Sequence, residues 1–119
     1  MKKLFTLLAL TMSFSMNAQM SDYSEGTSAT GSNAVAMGKS TTASGSRSTA
    51  MGGDSTASGD FSVAMGRGTT ASGNNSTAMG SGTIASGNNS SAMGYYTTAS
   101  GHKTTAMGAN TTASDYASL

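Results

Sequence analysis

The sequence predicts an all-β fold, a single-stranded parallel β-roll, or solenoid, of stacked 14-residue coils. Three observations predict it. Ala-Met-Gly recurs every 14 residues, at Ala36, Ala50, Ala64, Ala78, Ala92 and Ala106, with no insertion or deletion. Ala-Ser-Gly falls midway between, at Ala43, Ala57, Ala71, Ala85 and Ala99. A β-branched or hydroxyl residue precedes each of these alanines.

The chain begins with a different kind of segment. Met1 to Lys3 is short and positive, Leu4 to Phe14 is largely apolar, and small or polar residues follow through Asn17, Ala18 and Gln19. Charge, apolar run and small residue in that order read as a Sec-type signal peptide over residues 1–18. The apolar run falls short of the ~20 residues a spanning helix needs. No later segment is apolar enough to cross a membrane. Residues 19–27 are then a lead-in, and residues 28–119 form the repeat array.

Composition narrows what the array does. Only 9% of the 119 residues are charged, and Cys, Pro and Trp are absent. From Gln19 onward four basic residues (Lys39, Arg47, Arg67, Lys103) face five acidic ones (Asp22, Glu25, Asp54, Asp60, Asp115). That balance offers no basic patch for phosphates, so nucleic acid is not an expected partner. Without Cys there is neither a disulfide framework nor a thiolate metal site. A disordered tract would carry high net charge or Pro, and this chain carries neither.

The period fixes the architecture. Fourteen residues are too few for a helix–turn–helix unit. A coiled coil needs large apolar residues at two positions of each heptad, with helix formers between them. Here each heptad carries a glycine, at a cost of about 1 kcal/mol per helical position, together with several Thr or Ser. The β reading fits: runs such as Ala34-Val35-Ala36-Met37 are strand-like, and Gly38, Gly45 and their copies punctuate turns. Each half-coil is expected to hold a strand of about four residues and a turn of about three. Stacked at ~4.8 Å, six coils make a roll on the order of 30 Å long.

Strand alternation sorts the faces. Val35 and Met37 share one face, Ala34 and Ala36 the other; Thr42 and Ser44 share one, Thr41 and Ala43 the other. In-register stacking turns Met37, Met51, Met65, Met79, Met93 and Met107 into a column. Six aligned methionines in water would be a costly stripe, so the column is expected to be buried, either inside the roll or between subunits. Ala, Ser and Thr bury little area, which leaves a lone roll marginal and predicts self-association through a flat side.

The repeat Ser-Thr-Ala-Met-Gly-x-x-Thr-Thr-Ala-Ser-Gly-x-x resembles the head repeats of trimeric autotransporter adhesins, the YadA-like head family. Ser62-Val63-Ala64-Met65-Gly66 matches that family's Ser-Val-Ala-Ile-Gly with one change, and Asn33-Ala34-Val35-Ala36-Met37-Gly38 matches nearly as well. The likeness covers about residues 28 to 119. It implies a left-handed roll assembled as a homotrimer on a bacterial outer membrane, with a role in virulence. The implied partners are extracellular matrix, host cells or other surfaces. The family's usual neck, coiled-coil stalk and membrane-anchoring barrel are not in this sequence. The chain stops at Ser118-Leu119, in phase with the next Ala-Met-Gly, which points to a truncated gene product or fragment. A complete chain would be released rather than anchored.

No enzyme is expected, and no cofactor or metal. Gly66-Arg67-Gly68-Thr69-Thr70-Ala71 and Gly80-Ser81-Gly82-Thr83-Ile84-Ala85 fit a loose dinucleotide fingerprint without the βαβ unit it requires. His102 is the single His, so no triad or zinc site can form around it. Asp54 and Asp60 are too sparse for calcium-binding repeats. Asn75-Ser76-Thr77 and Asn89-Ser90-Ser91 are sequons that the repeat itself generates.

Variation concentrates in the turn pairs: Lys39-Ser40, Ser46-Arg47, Gly53-Asp54, Asp60-Phe61, Arg67-Gly68, Tyr95-Tyr96 and His102-Lys103. Among them Tyr95, Tyr96 and His102 form the most distinctive group and are the candidate ligand-binding residues, since aromatics with a polar tip make good anchors. The alternative function is a secreted ice-binding or surface-coating solenoid, motivated by Thr ladders on a flat sheet. Against it, Thr41 and Thr42 point oppositely and Ala43 is expected at the second site of the favoured Thr-x-Thr arrangement.

Overall fold

The computed structural model describes residues 26–117. The segment expected to be a signal peptide, residues 1–18, and the expected lead-in up to residue 25 lie outside the described residues. So do Ser118 and Leu119.

Thirteen short strands alternate between two lengths. Six strands have five residues: β2 (Val35–Lys39), β4 (Thr49–Gly53), β6 (Val63–Arg67), β8 (Thr77–Ser81), β10 (Ser91–Tyr95) and β12 (Thr105–Ala109). Seven have two: β1 (Ser28–Ala29), β3 (Thr42–Ala43), β5 (Thr56–Ala57), β7 (Thr70–Ala71), β9 (Ile84–Ala85), β11 (Thr98–Ala99) and β13 (Thr112–Ala113). The long strands form one parallel sheet and the short strands another, each in sequence order. The result is a β-solenoid of about six coils, with no helix among the described residues. Register is set by the 14-residue period throughout: Met37 pairs with Met51, Met65 with Met79, and Ala43 with Ala57.

The halves are therefore unequal, rather than four residues of strand in each. In the second half, Ser44 N and Gly45 N both donate to Ala57 O, at 2.9 and 3.3 Å. Two donors converging on one carbonyl end the ladder after Ala43. In the first half Gly66 has φ +129°, a value L side chains rarely adopt, and pairing continues through it to Arg67.

The interior is one small side chain deep. Ala36, Ala50, Ala64, Ala78 and Ala92 face Ala43, Ala57, Ala71, Ala85 and Ala99, all 0% exposed. Thr41, Ser48, Ser55, Ser62, Thr69, Ser76, Thr83, Ser90, Thr97 and Thr104 add the buried polar part of the lining. Some hydroxyls find partners: Ser55 Oγ donates to Gly66 O at 3.1 Å and accepts from Thr69 Oγ1 at 3.0 Å. Thr104 Oγ1 donates to Gly101 O at 2.8 Å. Such a core buries little apolar area, so the coil-to-coil hydrogen bonds carry much of the cohesion.

The methionines do not enter this interior. Met37, Met51, Met65, Met79 and Met93 stand half-buried on the outer face of the long-strand sheet, and Met107 is 59% exposed. Burial inside the roll is thus excluded, and burial in the single chain is only partial. The interior between the sheets holds no fully buried side chain larger than threonine. Neighbouring methionines shield one another along the column, and Met107, in the last full coil, is shielded on one side only.

Candidate functional site

Each coil turns two corners, and each corner places one variable residue pair at an edge of the roll. The first edge carries Lys39-Ser40, Gly53-Asp54, Arg67-Gly68, Ser81-Gly82, Tyr95-Tyr96 and Ala109-Asn110. The opposite edge carries Ser32-Asn33, Ser46-Arg47, Asp60-Phe61, Asn74-Asn75, Asn88-Asn89, His102-Lys103 and Tyr116-Ala117. In every pair the second residue is left-handed, with φ from 49° at Tyr96 to 64° at Gly82.

That conformation reverses the direction of the amide. Most ladder amides donate forward to the next coil, as Thr42 N does to Ser55 O. The left-handed residues donate backward: Asp54 N to Lys39 O at 2.9 Å, Gly82 N to Arg67 O at 2.9 Å and Tyr96 N to Ser81 O at 2.8 Å. Both edges are thereby bonded lengthwise. Fixed backbone with outward, variable side chains is what a display surface needs.

On the opposite edge a side-chain ladder adds to this. Asp60 Oδ1 accepts from Ser46 N at 2.9 Å, Asn74 Oδ1 from Asp60 N at 3.1 Å, and Asn88 Oδ1 from Asn74 N at 3.0 Å. Cation–aromatic groups flank it. The Arg47 guanidinium lies 5.2 Å from the Phe61 ring centre, and Lys103 Nζ lies 5.7 Å from that of Tyr116.

The three candidate residues separate between the two edges. Tyr95 and Tyr96 sit together on the first, their rings 4.5 Å apart at 85°. His102 is on the opposite edge, where it stacks on Tyr116 with ring centres 5.3 Å apart. Counting in fourteens accounts for the separation, since Tyr96 and His102 fall in different halves of one coil.

The tyrosines form one wall of a 340 Å³ cleft whose other lining residues are Asp54, Arg67, Gly68, Ser81 and Gly82. Tyr96 leans back over Gly82: a Cβ there would fall 2.8 Å from Tyr96 Cδ1 and Cε1. Gly68 has open space where a side chain would stand. Two consecutive coils with glycine at the left-handed position thus open the cleft. In the sequence Gly66-Arg67-Gly68 and Gly80-Ser81-Gly82 match only a loose dinucleotide fingerprint, with Arg67-Gly68 also among the variable turn pairs. The place of Arg67, Gly68, Ser81 and Gly82 in the cleft lining becomes visible when Arg67, Ser81 and Tyr95 are aligned at the 14-residue period.

The outer face of the short-strand sheet follows the predicted alternation, with Thr41 and Ala43 on the other side. Ala43 points inward and is fully buried, while Ser44 takes the second outward place beside Thr42. The face is a Thr-x-Ser array, with Ile84 replacing Thr in one row.

Among the described residues no group of three or more His, Cys, Asp or Glu is placed to hold a metal ion. No helix among them is long and apolar enough to cross a membrane. The family model described as a YadA head domain repeat, in two copies, matches residues 29–55, 43–69, 57–83, 71–97 and 99–119. The first four windows overlap in steps of 14 residues, the period of the coils seen in the structure. No curated protein matches the chain.

Proposed function

The chain belongs to the YadA head domain repeat family, and from that membership we propose that it is the adhesive head of a surface-displayed homotrimer. Heads of this family are parts of surface-exposed adhesins that bind surface ligands and perform no catalysis. The observation that carries the reading is the family match across the array, over residues 29–97 and 99–119. Host matrix, host cells or abiotic surfaces are the ligands proposed for it.

Trimerisation is supported by the outward Met column. With Val35 and Val63 it makes a half-buried apolar stripe on a roll whose own core is thin. Three copies packed through that stripe, wound left-handed as the resemblance implies, would cover it. Export through residues 1–18 is part of the same proposal, with the outer membrane as destination if the head is anchored. Tyr95, Tyr96 and His102 are proposed as ligand anchors, now on two separate edges.

The test is adhesion of cells displaying the natural product to matrix-coated and bare surfaces. Removal of the repeats is expected to abolish attachment. Unchanged attachment overturns the proposal.

A second reading has one observation in its favour. Thr42, Thr56, Thr70, Thr98 and Thr112 stand in an outward row beside Ser44 and its copies, a regular hydroxyl array that suits ordered water. Thermal hysteresis of the purified protein would support ice binding; its absence removes that reading.

A further inference from the structure

We propose that the cleft between Arg67 and the Tyr95–Tyr96 pair binds a saccharide carrying a carboxylate. The inference rests on the adhesive reading and names the ligand chemistry of one of its edges.

The cleft has two unlike walls. On one side Tyr95 and Tyr96, 54% and 57% exposed, hold their rings at 85° to each other. One ring face and one ring edge are thus offered together. On the other side stand Arg67 and Asp54. Arg67, Ser81 and Tyr95 are successive register partners, so the walls are two coil steps apart, about 9–10 Å at ordinary strand spacing. A volume of 340 Å³ lies near the lower end of the range for small-ligand pockets, roughly 300–1,000 Å³. It suits a mono- or disaccharide.

The chemistry of the lining favours a sugar over a peptide. A peptide added along a strand edge needs free backbone amides. Here the Gly68, Gly82 and Tyr96 amides are spent on Gly53 O, Arg67 O and Ser81 O, at 2.8, 2.9 and 2.8 Å. Recognition therefore falls to side chains. A pyranose presents an apolar face for the tyrosines and hydroxyls for Asp54 and Ser81. The Arg67 guanidinium is a planar fork that pairs a carboxylate through two parallel hydrogen bonds. Asp54 beside it brings the charge of the lining to zero, which suits one carboxylate flanked by hydroxyls and disfavours a dense polyanion.

The test is saturation-transfer NMR of methyl β-glucuronide, sialyllactose and neutral methyl β-glucoside over the natural oligomer. Both acidic sugars are expected to bind, and the neutral one roughly 10-fold more weakly, the difference a charge-assisted pair makes. Arg67→Gln should remove the preference for acid. Tyr95→Ala with Tyr96→Ala should remove binding of all three, with the far-ultraviolet dichroism of both variants unchanged. Gly82→Ala, which displaces the Tyr96 ring, should weaken all three without touching charge. Equal binding of acidic and neutral sugars overturns the proposal, as does an acid preference that survives Arg67→Gln, or no binding at all. A proline-rich peptide that binds in place of the sugars and is lost in the same variants also overturns it. Cells that still adhere while no sugar binds reject the ligand class and leave the adhesive reading standing.

Discussion

Gly45 abuts the carbonyl oxygen of Gly59 in the next coil: a Cβ on Gly45 would lie 2.0 Å from it. The same contact recurs from Gly59 to Gly73 at 2.1 Å and from Gly87 to Gly101 at 1.9 Å. Positive φ is not the reason, since none of these glycines is in the left-handed region. The next coil forbids the side chain. Asp115 occupies the equivalent position in the last half-coil, and no described coil stacks beyond it.

Gly45→Ala is accordingly expected to destabilise the roll by about 3 kcal/mol, the upper end of the usual cost of overpacking. Gly53 is the control, with nothing within 4 Å of its added Cβ and no positive φ. Gly53→Ala should be neutral or stabilising by about 0.4–1 kcal/mol through the unfolded chain. Thermal unfolding followed by dichroism measures both.

Interior hydroxyls divide into two classes that mutation should separate. Ser62 Oγ is buried without a hydrogen-bond partner, so Ser62→Ala should raise stability by about 1 kcal/mol. Ser55 Oγ accepts from Thr69 Oγ1 and donates to Gly66 O. Ser55→Ala strands the Thr69 donor and should cost about 1–3 kcal/mol. Denaturant titration of the two variants should show opposite signs.

The Met column predicts where the proposed trimer comes apart. Met65→Glu with Met79→Glu places like charges in the apolar stripe and should shift the trimer to monomer in sedimentation equilibrium. Ser72→Glu with Ser86→Glu, on the opposite outer face, should leave the trimer intact. A parent chain that sediments as a monomer would count against the assembly.

The side-chain ladder on the second edge has a local readout. Asn74→Ala removes the acceptor of the Asp60 amide and should cost about 0.5–1.5 kcal/mol, with faster hydrogen exchange at Asp60 N. Asn74→Asp should retain protection, because Asp60 already fills the same role toward Ser46 N.

Much of this fold is legible from one repeat. Strand pairing follows from counting, because identical residues 14 apart stack only in register. The alternation Thr41, Thr42, Ala43, Ser44 gives the two faces of a strand, and both faces were assigned to the right sets. The unequal strand lengths were not legible, since they arise from Ser44 N and Gly45 N sharing one carbonyl. The candidate site was half legible. The Tyr95–Tyr96 pair is conspicuous, whereas Arg67 and Asp54 join it only through register across coils.

The amino-acid order alone determined the coil length, the parallel in-register stacking and the membership of each face, because all three are periodic properties of a chain that repeats itself. Tertiary structure decided which face turns inward. An interior that holds nothing larger than threonine admits Ala43 and Ala64 and leaves Met65 outside. It also sent Tyr96 and His102 to opposite edges, because the two corners of one coil turn at opposite ends of its sheets.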